Sequence, residues 1–315
     1  MAHRKLSDNP EYMQSLKSLD TEEGIDLAFY RPLGFFWARI ARRLGITPNA
    51  ITIAAIFLGI GAAAAFYFPC LGINIAGMAL LILANSFDSA DGQLARLTRQ
   101  YSRIGRILDG LCGDIWFFAI YVAICLRTDM HIQWFGAHPL IIWIIALVAG
   151  VCHAKQAALA DYYRQFHLYF LKGASGSELD TCDDLRRQLH SIPWKGNVWR
   201  KLTLLFYSNY TANQEVTTRS MQALRTAMHS RFPQGDIPQE FRNEFRRLSL
   251  PLMKWTNALT FNWRTITLFA TLFIGYPWLY FVVELTVFNI MLLYMRRRHE
   301  ALCRTLTAQL ADGLY

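Results

Sequence analysis

Along the chain, long apolar runs alternate with short polar connections. Ile51–Phe68, Trp116–Leu126 and Leu140–Val151 contain no charged side chain at all. A helix needs roughly 20 mostly apolar residues to cross the hydrocarbon core of a bilayer. Six windows meet that need: about Ile46–Phe68, Gly72–Leu97, Ile104–Leu126, Pro139–Asp161, Leu252–Ile274 and Trp278–Met295. Thr47-Pro48-Asn49 supplies a helix start before the first window, and Gly275-Tyr276-Pro277 a turn between the last two. The pattern predicts an all-α fold, a polytopic membrane bundle of six transmembrane helices.

Charge orients this map. Residues 1–46 hold seven Lys/Arg, residues 94–106 four, residues 161–254 fourteen, and the tail after Met295 four, whereas the opposite side keeps only Arg127. Under the positive-inside rule, both termini lie in the cytoplasm. The segment Phe29–Leu44 sets Phe35, Phe36, Trp37 and Ile40 beside Arg39, Arg42 and Arg43, the composition of an interfacial amphipathic helix. The expected organisation is a cytoplasmic N-terminal segment (1–45), four spans (46–165), a polar helical insertion on the cytoplasmic side (166–251), and two spans with a cytoplasmic tail (252–315).

Composition agrees with lipid as the solvent. Only 17% of residues are charged, against about 25% in soluble domains. The net charge of +9 is then cytoplasmic charge facing anionic headgroups, and no nucleic-acid partner is needed to explain it. Glu11, Asp20, Glu22, Glu23 and Asp26, with no apolar core before Leu33, do not read as a signal peptide. The six cysteines show neither CxxC pairing nor metal spacing and read as small buried hydrophobes.

The candidate chemistry lies between Asp88 and Asp114. Asp88 and Asp91 are three apart and project from one face of the second span near its cytoplasmic end; Asp109 and Asp114 follow on the third. A carboxylate inside an apolar helix costs about 2.5–3.5 kcal/mol. Four together also repel one another unless cations sit among them, and oxygen-ligated divalent ions sharing a polyphosphate would relieve that. Gly92, Ala95 and Gly105 leave room for a flat group against backbone, and Arg96 offers a fork to phosphate.

The run Asp88-x2-Asp91-Gly92-x2-Ala95-Arg96, eight residues, then Gly105-x3-Asp109, resembles the CDP-alcohol phosphotransferase family over about residues 30–165, as does Thr47-Pro48-Asn49-Ala50-Ile51-Thr52. The resemblance implies a CDP-linked lipid donor whose diphosphate rests on two divalent ions, Mg²⁺ or Mn²⁺. An acceptor hydroxyl would attack the donor's second phosphorus and displace CMP. It further implies Asp88, Asp91 and Asp109 as metal ligands, with Asp109 and Asp114 as catalytic residues. Asp114 would bind metal or take the hydroxyl's proton. Gly92, Ala95, Arg96, Gly105 and Asp88 would hold the nucleotide. A homodimer in the bacterial inner membrane or an equivalent membrane, with a cytoplasmic active site, is also expected. The last aspartate of the family pattern would fall at Gly113, one residue before Asp114. A π-bulge between Gly110 and Gly113 would restore its facing.

On the acceptor side, Lys155, Asp161 and Arg164 near the end of the fourth span form a candidate pocket, although Lys155 can equally snorkel. Inositol or inositol phosphate is the preferred acceptor. A CDP-choline or CDP-ethanolamine enzyme acting on a lipid alcohol is the alternative, and a divalent-cation or proton transporter the rival from another class. Arg264 and Glu284 are expected to pair structurally with each other.

Overall fold

The computed structural model describes residue 6 and residues 8–101, 103–172, 179–233 and 236–315. Among these, every regular element is helical, as the apolar pattern requires. In chain order the helices are α1 (Pro10–Ser15), α2 (Arg31–Leu44), α3 (Pro48–Tyr67), α4 (Leu71–Thr98), α5 (Arg103–His131), α6 (Gln133–Ala137) and α7 (Pro139–Lys172). There follow α8 (Cys182–Ser191), α9 (Val198–Thr217), α10 (Arg219–Arg231), α11 (Gln239–Asn257), α12 (Phe261–Ile274), α13 (Leu279–Val283) and α14 (Asn289–Ala311). Single π-helical turns at Asp26–Tyr30 and Glu284–Phe288 precede α2 and α14.

Among the described residues, five stretches are long and apolar enough to cross a membrane: Pro48–Tyr67, Leu71–Thr98, Leu108–His131, Pro139–Leu171 and Leu279–Ala311. The chain is built as an integral membrane protein. The expected fifth span, Leu252–Ile274, is divided instead. Residues up to Asn257 complete α11, which contains Pro251, and a break at 258–260 precedes the 14 residues of α12. At 1.5 Å per residue, α12 reaches about 21 Å, short of the roughly 30 Å hydrocarbon thickness. The Thr260 hydroxyl and amide both turn back onto the Asn257 carbonyl (2.6 and 2.9 Å), which closes α11 there.

The chain divides into two compact units, residues 1–152 with 261–286 and residues 153–260 with 287–315. In the first unit, Gly45 at φ 70° ends α2, its N–H and that of Ile46 bonding to the Arg42 and Ala41 carbonyls (3.4 and 2.9 Å). Thr47 then caps α3 through its Oγ1, with Pro48 in the first turn. These residues fix how α2 delivers the chain into the bundle.

The core of this unit gathers Phe66, Leu81, Trp116, Ile120, Leu268 and Phe281. Trp116 lies across Gly59, where an added Cβ would come within 2.0 Å of the ring, and its Nε1 donates to the Ala55 carbonyl at 3.0 Å. Small residues thus let α3 and α5 approach closely. A second cluster (Ala38, Ala41, Ile51, Ala90, Leu94) joins α2 and the start of α3 to the C-terminal half of α4. Gly34 on α2 is equally tight, a Cβ there falling 2.8 Å from Ser89 Oγ. Arg127 is buried and donates to the Phe66 carbonyl at the end of α3 (3.0 Å), serving as a C-terminal cap.

Arg264 and Glu284 form the expected pair. Both carboxylate oxygens accept from Arg264 Nη1 (2.7 and 2.6 Å), Tyr280 OH donates to Glu284 Oε2 (2.9 Å), and the two side chains are 1% and 0% exposed.

The second unit contains the helical patches expected within 173–251. Thr181 caps α8 through Asp184 N–H (3.0 Å), and α10 packs on α14. Its interior packs Phe170 against Phe245 at a tilt and stacks Tyr163 on His299. Residues 173–178 and 234–235 of the expected insertion, and residues 1–5 and 7 of the N-terminal segment, lie outside the described residues. All six cysteines are free thiols, and four are buried.

Candidate active site

The site forms in the first unit, where the start of α3 and the C-terminal end of α4 meet the start of α5. Asp88 and Asp91 share one face of α4 because they are separated by nearly one turn. Asp109 on α5 joins them: one carboxylate oxygen from each of the three lies within 4.8 Å of the others. Asp91 is buried, Asp88 half-buried and Asp109 exposed, so the cluster opens on the Asp109 side.

Its polar atoms are unevenly satisfied. Thr52, one turn into α3, donates its hydroxyl to Asp91 Oδ2. Cys112 on α5 neighbours Asp88. Among the described residues, Asp88 Oδ1 is buried with no hydrogen-bond partner. A buried carboxylate oxygen left unpaired is costly, and three acids this close repel one another. Hard divalent cations take oxygen ligands at about 2.0–2.6 Å, and a trio within 4.8 Å can surround such an ion. The donor set therefore fits Mg²⁺ or Mn²⁺, and the orphaned Asp88 oxygen is a ready ligand.

Asp114 does not belong to this trio. Residues 103–131 form regular α-helix, without a π turn between Gly110 and Gly113. Five residues of regular helix rotate a side chain roughly 140° away from Asp109. The bulge expected there is not formed, and the charge that bears on exposed Asp114 is that of Arg264. Around Gly110 and Gly113 an added Cβ would meet no atom within 4 Å, so this side of α5 is open.

The nucleotide candidates lie beside the trio. Gly92 follows Asp91, and the Arg96 guanidinium folds over it, 3.4 Å from where a Cβ would stand. Ala95 is half-buried on the last turns of α4, and Gly105 lies in the first turn of α5. Of the acceptor candidates, Lys155 and Asp161 are exposed and Arg164 donates through Nε to Asn257 Oδ1 (2.9 Å). All three belong to the second unit.

Several neighbours were not singled out by spacing. Arg96 Nε donates to the Ser15 carbonyl, Gln93 Nε2 to Ser15 Oγ (3.0 Å), and Arg31 to both Glu22 Oε2 (2.8 Å) and Ser89 Oγ (3.0 Å). An N-terminal segment of low apolar content thus packs on α4 beside the acids. Thr52 carried a signal, since it closes the Thr47–Thr52 run, but nothing in that run gave it a partner.

Comparison with known proteins agrees with this geometry. Residues 45–166 match the family described as CDP-alcohol phosphatidyltransferase. The chain is 32% identical over 109 residues to CDP-diacylglycerol–serine O-phosphatidyltransferases of Mycobacterium bovis and Mycobacterium tuberculosis. Each alignment covers 35% of this chain and 35% of the relative, so the chain matches about a third of the length of those enzymes. The matched residues include α3, α4 and α5, with Thr52, the three clustered aspartates and Arg96. Over residues 45–166 the chain is thus similar to the CDP-alcohol phosphatidyltransferase family.

Proposed function

We propose that this protein is a membrane transferase that moves a phosphatidyl group from CDP-diacylglycerol to the hydroxyl of a small polar alcohol and releases CMP. The observation that carries the reading is the trio Asp88, Asp91 and Asp109, with its unpaired buried oxygen, within the residues that match the family. In the reaction the acceptor oxygen bonds to the phosphorus that bears the diacylglycerol. The bond from that phosphorus to the CMP oxygen breaks, and the hydroxyl proton passes to a base.

Asp88, Asp91 and Asp109 would hold Mg²⁺ or Mn²⁺, two ions by resemblance, which neutralise diphosphate charge when bound. Thr52 fixes the Asp91 carboxylate by hydrogen bonding to Oδ2. Arg96, with Nε committed to the Ser15 carbonyl, keeps its outer nitrogens for phosphate over Gly92. Phosphoryl transfer draws mainly on positioning and charge neutralisation, and these residues supply both. Ala95 and Gly105 flank the nucleotide. Asp114, turned from the trio on the open side of α5, is proposed as the base rather than as a metal ligand.

Serine enters as an acceptor through the name of the mycobacterial relatives, beside inositol and inositol phosphate. Lys155, Asp161 and Arg164 are the acceptor-side candidates from their place in the sequence, and Arg164 donates to Asn257 Oδ1. The distribution of Lys and Arg supports a cytoplasmic position for the termini, the site and residues 166–251, the composition of α2 supports an interfacial helix, and the family resemblance a homodimer. The test is to supply purified protein with CDP-diacylglycerol, Mg²⁺ and, in turn, serine, inositol, inositol phosphate and glycerol phosphate. A single new phospholipid with equimolar CMP supports the reading; CMP released only from CDP-ethanolamine contradicts the donor.

A further inference from the structure

Two arginines stand beside the carboxylate trio, and the N-terminal segment, outside the matched residues 45–166, holds both. Arg31, the first residue of α2, gives Nε to Glu22 Oε2 (2.8 Å) and Nη1 to Ser89 Oγ (3.0 Å). Ser89 directly follows Asp88. The Glu22 side chain is 4% exposed and that of Arg31 21%. A guanidinium has five N–H donors, so these two bonds leave Nη2 uncommitted among the described residues. Arg96 is held the same way, through Nε to the Ser15 carbonyl, with its outer nitrogens over Gly92.

Stability alone does not account for this arrangement. Each arginine lies in the field of the other, and that contact is repulsive. Arg31 also lies in the field of Asp88. Burial lowers the pKa of Arg31, Glu22, Asp26 and Asp88 together raise it, and the net shift is upward, so it stays charged. Two fixed cations with outer edges unspent, next to a trio that suits cations, match a ligand of high negative charge. A diphosphate bridging them replaces repulsion with charge-assisted bonds of the kind arginine forms best.

We propose that Arg31 is a second phosphate-binding arginine for the donor, acting with Arg96, so that the N-terminal segment completes the nucleotide site. The inference rests on the CDP-linked donor proposed above. Ser89 registers the Arg31 fork beside Asp88, while Glu22 pairs with its Nε edge and takes no part in holding the donor.

The experiment measures CDP binding to the full chain in nanodiscs with Mg²⁺, by calorimetry, for wild type, Arg31→Gln, Arg31→Lys and Glu22→Gln. Losing a charge-assisted bond to phosphate predicts CDP affinity lower by about tenfold in Arg31→Gln. Arg31→Lys, which keeps the charge and loses the fork, falls between. Glu22→Gln breaks the same ion pair but keeps the Arg31 charge, and stays within about threefold of wild type. CDP affinity unchanged in Arg31→Gln overturns the inference. So does equal weakening in Arg31→Gln and Glu22→Gln, the result expected of a structural clamp. If Arg31→Gln does not fold, Arg31→Lys against Glu22→Gln carries the same contrast. A wild-type protein that takes up no CDP with Mg²⁺ instead contradicts the proposed donor itself.

Discussion

The Thr52 hydroxyl on α3 donates to Asp91 Oδ2 on α4, so the first long helix of the bundle orients the most buried acid of the site. The bond also explains why the Thr47–Thr52 run lies where it does: the cap at Thr47 sets the register that brings Thr52 opposite Asp91. A hydrogen bond to a charged group contributes about 1.5–3 kcal/mol. Thr52→Val is therefore expected to raise the Mg²⁺ concentration for half-maximal activity by about tenfold or more. Thr52→Ser restores it. A Mg²⁺ titration of CMP release reads both.

Asp109 and Asp114 are predicted to separate. Asp109→Asn removes a member of the trio and shifts the metal midpoint strongly. Asp114→Asn lowers the maximal rate and leaves the metal midpoint within about threefold, because regular helix turns it roughly 140° from Asp109. The same Mg²⁺ titration distinguishes a midpoint change from a rate change.

Gly59 is a packing position with a sharp expected cost. An Ala Cβ there would stand 2.0 Å from the Trp116 ring, a rigid and fully buried neighbour, whereas at Gly61 the nearest atom is 3.7 Å away. Gly59→Ala should destabilise by about 1–3 kcal/mol or more, and Gly61→Ala should be close to neutral. Thermal unfolding in detergent compares the two.

The Arg264–Glu284 pair predicts an asymmetric double-mutant cycle. Removing one partner of a buried ion pair costs about 3–5 kcal/mol because the other is left charged and unpaired. Glu284→Met and Arg264→Met each should lower thermal stability sharply. The double substitution Arg264→Met with Glu284→Met should recover much of the loss. The melting temperature of the four proteins measures the coupling.

The acids were readable in the sequence for a physical reason. A carboxylate in an apolar run is expensive enough to demand a purpose, and a spacing of three states which face Asp88 and Asp91 share. The pairing of Arg264 with Glu284 followed from the same cost. Arg31 and Glu22 were not readable as parts of the site, because Arg31 meets Ser89 across 58 positions of chain, beyond the reach of any periodicity. The divided fifth span escaped because hydropathy averaged over 252–274 passes over a three-residue break at 258–260. The bulge expected near Gly110 fails because glycine permits an irregular turn without requiring one, and α5 stays regular there. The π turn precedes α14 instead, at Glu284, where the carboxylate is held by Arg264.

The central claim is that Asp88, Asp91 and Asp109 hold divalent cations for transfer from a CDP-linked lipid. CMP release from CDP-diacylglycerol by the purified full chain tests it most directly, measured with Mg²⁺, with EDTA, and for Asp91→Asn. The account predicts release with Mg²⁺, loss on chelation with recovery when Mg²⁺ or Mn²⁺ is returned, and a fall of about a thousandfold or more in folded Asp91→Asn, as when charge stabilisation of the transition state is removed. Release that persists in EDTA, or that Asp91→Asn leaves intact, would contradict it.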